Sequence, residues 1–365
     1  MNSSTLVILD SLFAPIFKLL ALIVVQKNRI LSKTFKSDQI LVIKIMGAGN
    51  FVASEKFNSE KYTILTSKNN EAAVKYFYPE VNVLSIEVNG IWSLASSLII
   101  VCCKLIFQRY DKVYNFEVQS ALCKFISSIP FSKKLVGISI SHKSFFDYIF
   151  YHQHIVLSDT PRSDIIDALL DEHPRIHNEN ISKKRIYHSN NLRVINQERM
   201  GSRKLVIAPT CANVDLNRRV DIKYWEILVS EFATYFDEIT CVFQTKSDFQ
   251  FQDFCDLQKR YENIQVITTR YVELTEVIRA ADFVATVDSQ ALHISQKYDK
   301  YTLCFYGPSS PFSVSLGNKT LVISSALNCS PCTHLYFEVP CKGGTFCRAY
   351  APEEIRTIAK MLTQN

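Results

Sequence analysis

The chain has 365 residues, 47% hydrophobic and 21% charged. That balance excludes a disordered chain, suits a large core and leaves room for about two domains. The net charge of +6 comes from scattered Lys and Arg, which suits an anionic substrate or membrane surface but falls short of the dense basic stripe of a nucleic-acid binder. With 9 Gly, 11 Pro and no internal period, repeat and low-complexity architectures are excluded too. The 11 Cys are an odd number. Cys102, Cys103, Cys241 and Cys304 lie in apolar runs and read as reduced core thiols of a cytosolic protein.

Leu6–Val25 is strongly apolar but carries Asp10, Pro15 and Lys18. It has no basic leader and no small-residue cleavage site, so it does not read as a secretory signal. It is also a poor bilayer span, which needs about 20 clean apolar residues. Lys27, Arg29, Lys33 and Lys36 follow. Residues 1–37 therefore read either as a helix lying on an anionic cytoplasmic leaflet or as a helix docked on the protein's own core.

An α/β alternation comes next. Gln39–Ile45 is a strand, Met46–Asn50 a Gly-containing turn with a helix expected after it, and Tyr62–Thr66 a strand. Glu71–Phe77 reads as a helix, Val81–Ser85 as a strand and Ile91–Gln108 as a long apolar core helix. Lys112–Phe116 and Ala121–Ile129 complete a strand and a helix. Residues 140–200 are more polar, with little strand pattern. Ser163–Leu170 reads there as a capped helix and Asn178–Arg203 as an inter-domain connector.

A second series then begins. Strands are expected at Lys204–Ala208, Glu238–Phe243, Ile264–Ile267, Phe283–Val287 and Tyr301–Tyr306. Helices are expected at Ile222–Phe236, Phe249–Tyr261, Val272–Ala280, Gln290–Lys297 and Pro352–Thr363. Alternation of this kind predicts an α/β fold with two parallel sheets, each covered by helices on both faces. Two Rossmann-like halves around a cleft are the simplest arrangement.

No G-x-G-x-x-G, P-loop, H-E-x-x-H or G-x-S-x-G motif occurs. The stretch Ala281–Pro308 is the most suggestive. An apolar strand exits into Asp288-Ser289, a good helix N-cap, and a helix and a second strand follow. It reads either as a phosphate-binding turn, with free N–H groups and a positive dipole end offered to an anion, or as one more βαβ crossover.

Several segments, in order, resemble glycosyltransferase family 9, the heptosyltransferase-like enzymes. Gln39–Asn50 (QILVIKIMGAGN) is similar to the family's first strand and Gly-rich loop, and Tyr110–Ser120 (YDKVYNFEVQS) to a second strand. Lys204–Pro209 resembles the strand that opens its second domain. Asn217–Leu228 (NRRVDIKYWEIL) resembles a basic-aromatic helix start. Asp282–His293 (DFVATVDSQALH) resembles a D-S-G-x-x-H signature, and Phe305–Pro308 (FYGP) an L-F-G-P-T. The resemblance implies the GT-B fold and metal-independent, inverting transfer of a sugar, such as a heptose, from a nucleotide diphosphate donor. The acceptor would be a lipopolysaccharide-core or other cell-surface glycan or glycolipid. It implies an acceptor-binding domain over 38–195, a donor-binding domain over 196–350 and a last helix, 351–365, packing back on the first domain. With the N-terminal segment, it places the protein on the inner face of the cytoplasmic membrane.

By the same resemblance, Arg218 and Arg219 stand where the family binds phosphate, a role suited to forked guanidinium donors. Ser289, Gln290 and Ala291 would offer backbone N–H groups to the same phosphates, and Asp288 would cap the helix or hold a sugar hydroxyl. His293 falls one turn in, as a cleft residue or a packed core one. Thr210 would bond phosphate or serve structure. Two departures stand out. Asn50 replaces the family's general-base Asp, and an amide can position a hydroxyl without taking its proton. The base is then expected at Glu117 or Glu55, with Glu117 preferred. Gln290 replaces the signature Gly, where a phosphate would approach closely. A protein that binds nucleotide-sugar or glycan without turnover is the other reading. Cys329, Cys332, Cys341 and Cys347, spaced C-x2-C-x8-C-x5-C, resemble a cysteine cluster of the family. They read as a structural zinc site, as unliganded thiols, or as disulfides formed after purification.

Overall fold

The computed structural model describes residues 3–31, 36–45, 47, 57, 59–117, 120–139, 145–156, 166, 170, 203–211, 218–309, 311, 319–325, 327 and 346–363. The chain divides into two compact units, Met1–His177 and Asn178–Asn365.

The first unit is built on six parallel strands: β1 (Ile40–Ile43), β2 (Tyr62–Ser67), β3 (Asn82–Ile86), β4 (Arg109–Asn115), β5 (Phe131–Ser139) and β6 (Gln153–Val156). Their order is β3-β2-β1-β4-β5-β6. Alternate side chains feed two cores, as the period of two requires. Leu41, Ile43, Leu65 and Val113 pack beneath α1 (Ser3–Leu31), α3 (Ile91–Leu105) and α4 (Ala121–Ser128). Val42, Ile64, Tyr114 and Val136 pack on the other side with α2 (Lys68–Phe77). A short helix, α5 (Phe145–Phe150), leads to β6.

The sequence leaves helix α1 open between two placements, and the structure docks one stripe of it on α4. Ala21 and Val25 are buried, and the Phe17 ring stacks on Phe125 at 5.8 Å. Polar groups fix both ends. Asp10 accepts from the Leu122 N–H at 2.7 Å, beside the Ser120 hydroxyl that caps Cys123 N. The Asn28 amide donates to the Ser128 and Pro130 carbonyls at 2.6 and 2.9 Å. Orphan groups at both ends of α4 are thereby satisfied. No described helix is long and apolar enough to cross a membrane.

The second unit repeats the plan with β7 (Lys204–Ala208), β8 (Glu238–Phe243), β9 (Ile264–Thr268), β10 (Phe283–Val287), β11 (Tyr301–Tyr306) and β12 (Thr320–Ser324). All are parallel, in the order β12-β11-β10-β7-β8-β9. Its helices are α6 (Ile222–Phe232), α7 (Phe251–Arg260), α8 (Tyr271–Ala280), α9 (Gln290–Lys297) and α10 (Pro352–Thr363). The main core is aromatic: Trp225 lies edge-on to Phe305 at 4.9 Å, and Phe232 packs on Phe283. Counted from each unit's own first strand, both sheets run 3-2-1-4-5-6. The strand order reverses between β1 and β4, and between β7 and β10. Open α/β sheets bind ligands outside the carboxyl ends of their strands at that reversal.

Three strands have no counterpart in the sequence reading: β5, β6 and β12. The last helix contributes one stripe to the core of the second unit. Ile355, Ile358 and Ala359 recur at helical spacing and join the core under α6. Of the expected helix Ser163–Leu170, only Ile166 and Leu170 are described, both helical. The turn at Met46–Asn50 and the helix expected after it lie mostly outside the described residues.

Candidate functional site

In the second unit the reversal point brings two loops together. Pro209-Thr210-Cys211 leaves β7, and Asp288-Ser289 leaves β10 into α9. Paired register places Thr286 opposite Ala208. The Thr286 hydroxyl donates to the Ala208 carbonyl at 2.9 Å and lies 3.2 Å from the Ser289 hydroxyl, so it ties the two strand ends together. Ser289 takes the extended backbone of an N-cap.

Arg218 joins this turn from 70 residues away. Its Nη1 lies 3.3 Å from Asp288 Oδ2 and donates to the Asp288 carbonyl at 3.2 Å. A guanidinium is thereby held at the start of α9, where the helix also presents its N-terminal N–H groups. Behind the pair, burial pushes the Cys304 thiol and the Tyr306 phenol well up, the Asp288 charge adding to it and Arg218 opposing. Both groups stay neutral, and Arg218 is the positive end of the turn.

Arg219 turns elsewhere. Its guanidinium lies over the Phe249 ring at 4.6 Å, a cation–π contact. It lines a small recess with Thr210, Cys211, Gln244, Asp248 and Phe249. The Gln244–Phe249 loop follows β8 and is shaped by Asp248, whose carboxylate accepts from the N–H groups of Gln244 and Thr245 at 2.7 and 3.0 Å. Arg348, in a 3-10 turn at Phe346–Arg348, donates to the Arg219 carbonyl at 3.3 Å. Gln244, Asp248 and Arg348 are not named as site residues in the sequence reading, and Phe249 stands there only as the start of a helix that the structure begins at Phe251. The position of Gln244–Phe249 just past a strand neighbouring β7 was the available signal.

The remaining donor-side residues are placed as follows. Ala291 is buried in the first turn of α9, and His293 is buried one turn in, only 7% exposed. Gln290 stands beside the Tyr271 hydroxyl. That phenol is pushed up by burial and pulled back by the Gln290 side chain.

In the first unit, Glu117 follows β4 and Lys44 follows β1, the two strands flanking the reversal. Lys44 Nζ lies 3.1 Å from Glu117 Oε1, with both side chains largely buried. The Asn115 amide oxygen accepts from Glu117 N at 3.0 Å, and its Nδ2 donates to the Tyr151 hydroxyl at 3.0 Å. A second buried pair stands near it in sequence: Lys124 Nζ to Asp147 Oδ1 at 2.5 Å, with the Ser139 hydroxyl on Oδ2 at 2.7 Å. Lys44 is a further residue that sequence reasoning missed. Asn50 and Glu55 lie outside the described residues.

Of the cysteine cluster, Cys347 is buried, while Cys329, Cys332 and Cys341 lie outside the described residues. Among the described residues no group of three or more His, Cys, Asp or Glu is placed to hold a metal ion.

Two tandem parallel sheets wound 3-2-1-4-5-6, the second with a basic, N–H-rich turn at its reversal point, define the GT-B class. The model of Glycosyltransferase family 9 (heptosyltransferase) matches residues 255–338, a span that includes α8, β10, α9 and β11. Over that span the chain is thus similar to glycosyltransferase family 9, and both units together have the GT-B fold. Among solved structures it is similar to E. coli heptosyltransferase WaaC with ADP, at 13% identity, TM-score 0.58, covering 78% of this chain and 92% of that one. A family 9 glycosyl transferase from Veillonella parvula matches at 13% identity and TM-score 0.58, covering 79% and 86%. E. coli ADP-heptose lps heptosyltransferase II matches at 16% identity and TM-score 0.52, covering 78% and 90%. At these identities the likeness is one of fold. No curated protein sequence matches the chain.

Proposed function

We propose that the protein transfers a sugar from a nucleotide diphosphate donor to a glycan or glycolipid acceptor of the cell surface, with inversion and without a catalytic metal. The observation that carries this reading is the turn at the start of α9, where Arg218 is bridged to Asp288 beside the helix's N-terminal N–H groups. A departing diphosphate needs fixed positive charge and aligned donors where its negative charge develops. Arg218 and the N–H groups of Ser289–Ala291 supply both, and Arg219 stands over Phe249 in the recess.

The recess beside Arg219 suits the nucleoside part, with the Phe249 ring as an apolar wall and Asp248 and Gln244 as polar ends. Related folds are described with ADP and with an ADP-linked heptose analogue, which supports an ADP-linked heptose as the first donor to try. In the step itself, an acceptor hydroxyl attacks the anomeric carbon from the face opposite the diphosphate. The anomeric C–O bond breaks, and its electron pair leaves with the nucleoside diphosphate. The hydroxyl proton passes to a base, which we assign to Glu117, with Lys44 as the group that positions it.

The test is release of ADP from ADP-heptose in the presence of a membrane-extract acceptor. Turnover should survive chelation of divalent metals and vanish in Arg218→Ala/Arg219→Ala. Loss of turnover on chelation, restored by added metal, contradicts the metal-free step. If Glu117→Gln leaves the rate unchanged, Glu117 is not the base.

The Lys44–Glu117 bridge favours one second reading. A carboxylate already holding a buried ammonium is committed to structure, and with Asn50 in place of Asp the chain would then bind donor or glycan without turnover. Saturable ADP-heptose binding with no ADP release under any acceptor would select that reading.

A further inference from the structure

Helices α1 and α3 both pack on the same face of the first sheet, through one apolar cluster. Each is apolar on both sides. On α1 the docked stripe holds Asp10, Phe17, Ala21, Val25 and Asn28. At 100° per residue, Leu12, Ile16, Leu19 and Ile23 lie on the opposite side, and all four are exposed. On α3, Leu94, Val101 and Leu105 are buried, while Trp92 and, just past the helix, Phe107 stand out at 88% and 86% exposure. A helix that is apolar all round is normally covered on all sides, and large exposed apolar patches mark interaction surfaces.

The charges on these helices have one sign. Across residues 3–31 and 91–108 the only carboxylate is Asp10, and it is committed to the N-terminus of α4. Lys18, Lys27 and Lys104 are exposed on the same two helices. A second copy of this chain would bring like charges together across a two-fold interface. An anionic lipid surface meets both features, because apolar side chains enter the acyl boundary while lysines reach headgroup phosphates. Asp10 and Asn28 anchor α1 to the body of the unit, so it lies along the surface as part of a rigid face.

We propose that the outer faces of α1 and α3 form one docking surface for an anionic phospholipid bilayer. The surface is independent of the donor chemistry, and its failure leaves that reading untouched.

The chain's own tryptophans provide the test. Of the two, Trp225 is fully buried in the second unit and Trp92 is exposed on the proposed surface. The full chain is titrated with phosphatidylcholine vesicles and with 3:1 phosphatidylcholine–phosphatidylglycerol vesicles. Emission should shift to the blue and the protein should float with the anionic vesicles only, the shift vanishing in Trp92→Phe. Leu19→Glu/Ile23→Glu, at exposed positions that leave the melting temperature unchanged, should weaken partitioning at least tenfold. Absence of flotation, or equal binding to neutral vesicles, overturns the proposal. So does a concentration-dependent dimer in sedimentation velocity that the same substitutions abolish.

Discussion

Arg218 and Asp288 are the two groups whose pairing creates the candidate donor site, and the pairing has a measurable energy. Truncating Arg218 to Ala removes two contacts from Nη1, to Asp288 Oδ2 and to the Asp288 carbonyl. The Asp288 side chain is 7% exposed and that of Arg218 is 23% exposed. Exposed ion pairs contribute about 0–1 kcal/mol, while removing one partner of a buried pair costs about 3–5 kcal/mol. Partial exposure of the arginine places Arg218→Ala between them, at about 2–3 kcal/mol. Asp288→Asn keeps the shape and the carbonyl contact and should cost about 1 kcal/mol. The assay is urea unfolding followed by Trp225 fluorescence, since that ring sits in the core of the second unit. A double-mutant cycle on Arg218→Ala and Asp288→Ala should return a coupling of about 1–2 kcal/mol. A coupling below about 0.3 kcal/mol, the usual additivity error, would mean that the bridge is not formed in solution.

Three further outcomes follow from single residues. Burial raises the Asp10 carboxyl above its ordinary 3.8, against the Leu122, Ser120 and Ala121 hydrogen bonds that pull it down. Its contribution to folding is therefore full below about pH 3.8 and fades as pH rises through the raised value. Asp10→Asn should gain stability relative to the parent between pH 3 and pH 7 in urea unfolding, and a relative loss over that range refutes the sign. Glu71 behaves oppositely. Hydrogen bonds from Lys68 and Lys75 bring it down to about 2, so its contribution is present above about pH 4.5 and lost toward pH 2. Its lysine partners are more than half exposed. Glu71→Gln should therefore cost only about 1 kcal/mol at pH 7 and nothing at pH 2, checked by thermal melts at both values. Gly137 faces the Tyr151 ring so closely that an added Cβ would lie 2.2 Å from it. Gly137→Ala should cost about 2–3 kcal/mol through overpacking, and an unchanged denaturation midpoint would show that the ring can move.

Most of the fold was readable because its strands are buried on both faces. Phe283–Val287 and Glu238–Phe243 are short apolar runs closed by turn residues, and the structure keeps those bounds. The strands that escaped are at or near sheet edges. β6 (QHIV) and β12 (TLVIS) are short edge strands, and β5, next to an edge, is interrupted early by exposed Lys133 and Lys134. Helix α1 was legible as a helix but not in its destination. Its docking depends on Asp10 and Asn28 meeting the two ends of α4, a match across about a hundred residues that no local pattern encodes.

The site shows the same division. Arg218 and Asp288 could be named from the sequence, and the structure brings them together. Arg219 could be named but not aimed, since its direction is set by Phe249 and by Arg348 on its carbonyl. The partner of Glu117 could not be read either. Lys44 sits at the end of an apolar strand, and only the β1–β4 pairing reveals which carboxylate it meets. Gln290, a poor fit where close phosphate approach favours Gly, was legible from the sequence as a departure, and it opens α9 in the structure.

The central claim is that the turn joining Arg218 to the start of α9, with the recess beside Arg219, holds a nucleoside diphosphate. Isothermal titration of the full chain with ADP tests it directly. The account predicts saturable one-site binding, weakened at least tenfold in Arg218→Ala/Arg219→Ala and weakened further by added salt. Binding that is absent in the parent, or that survives unchanged in the double variant, would contradict it.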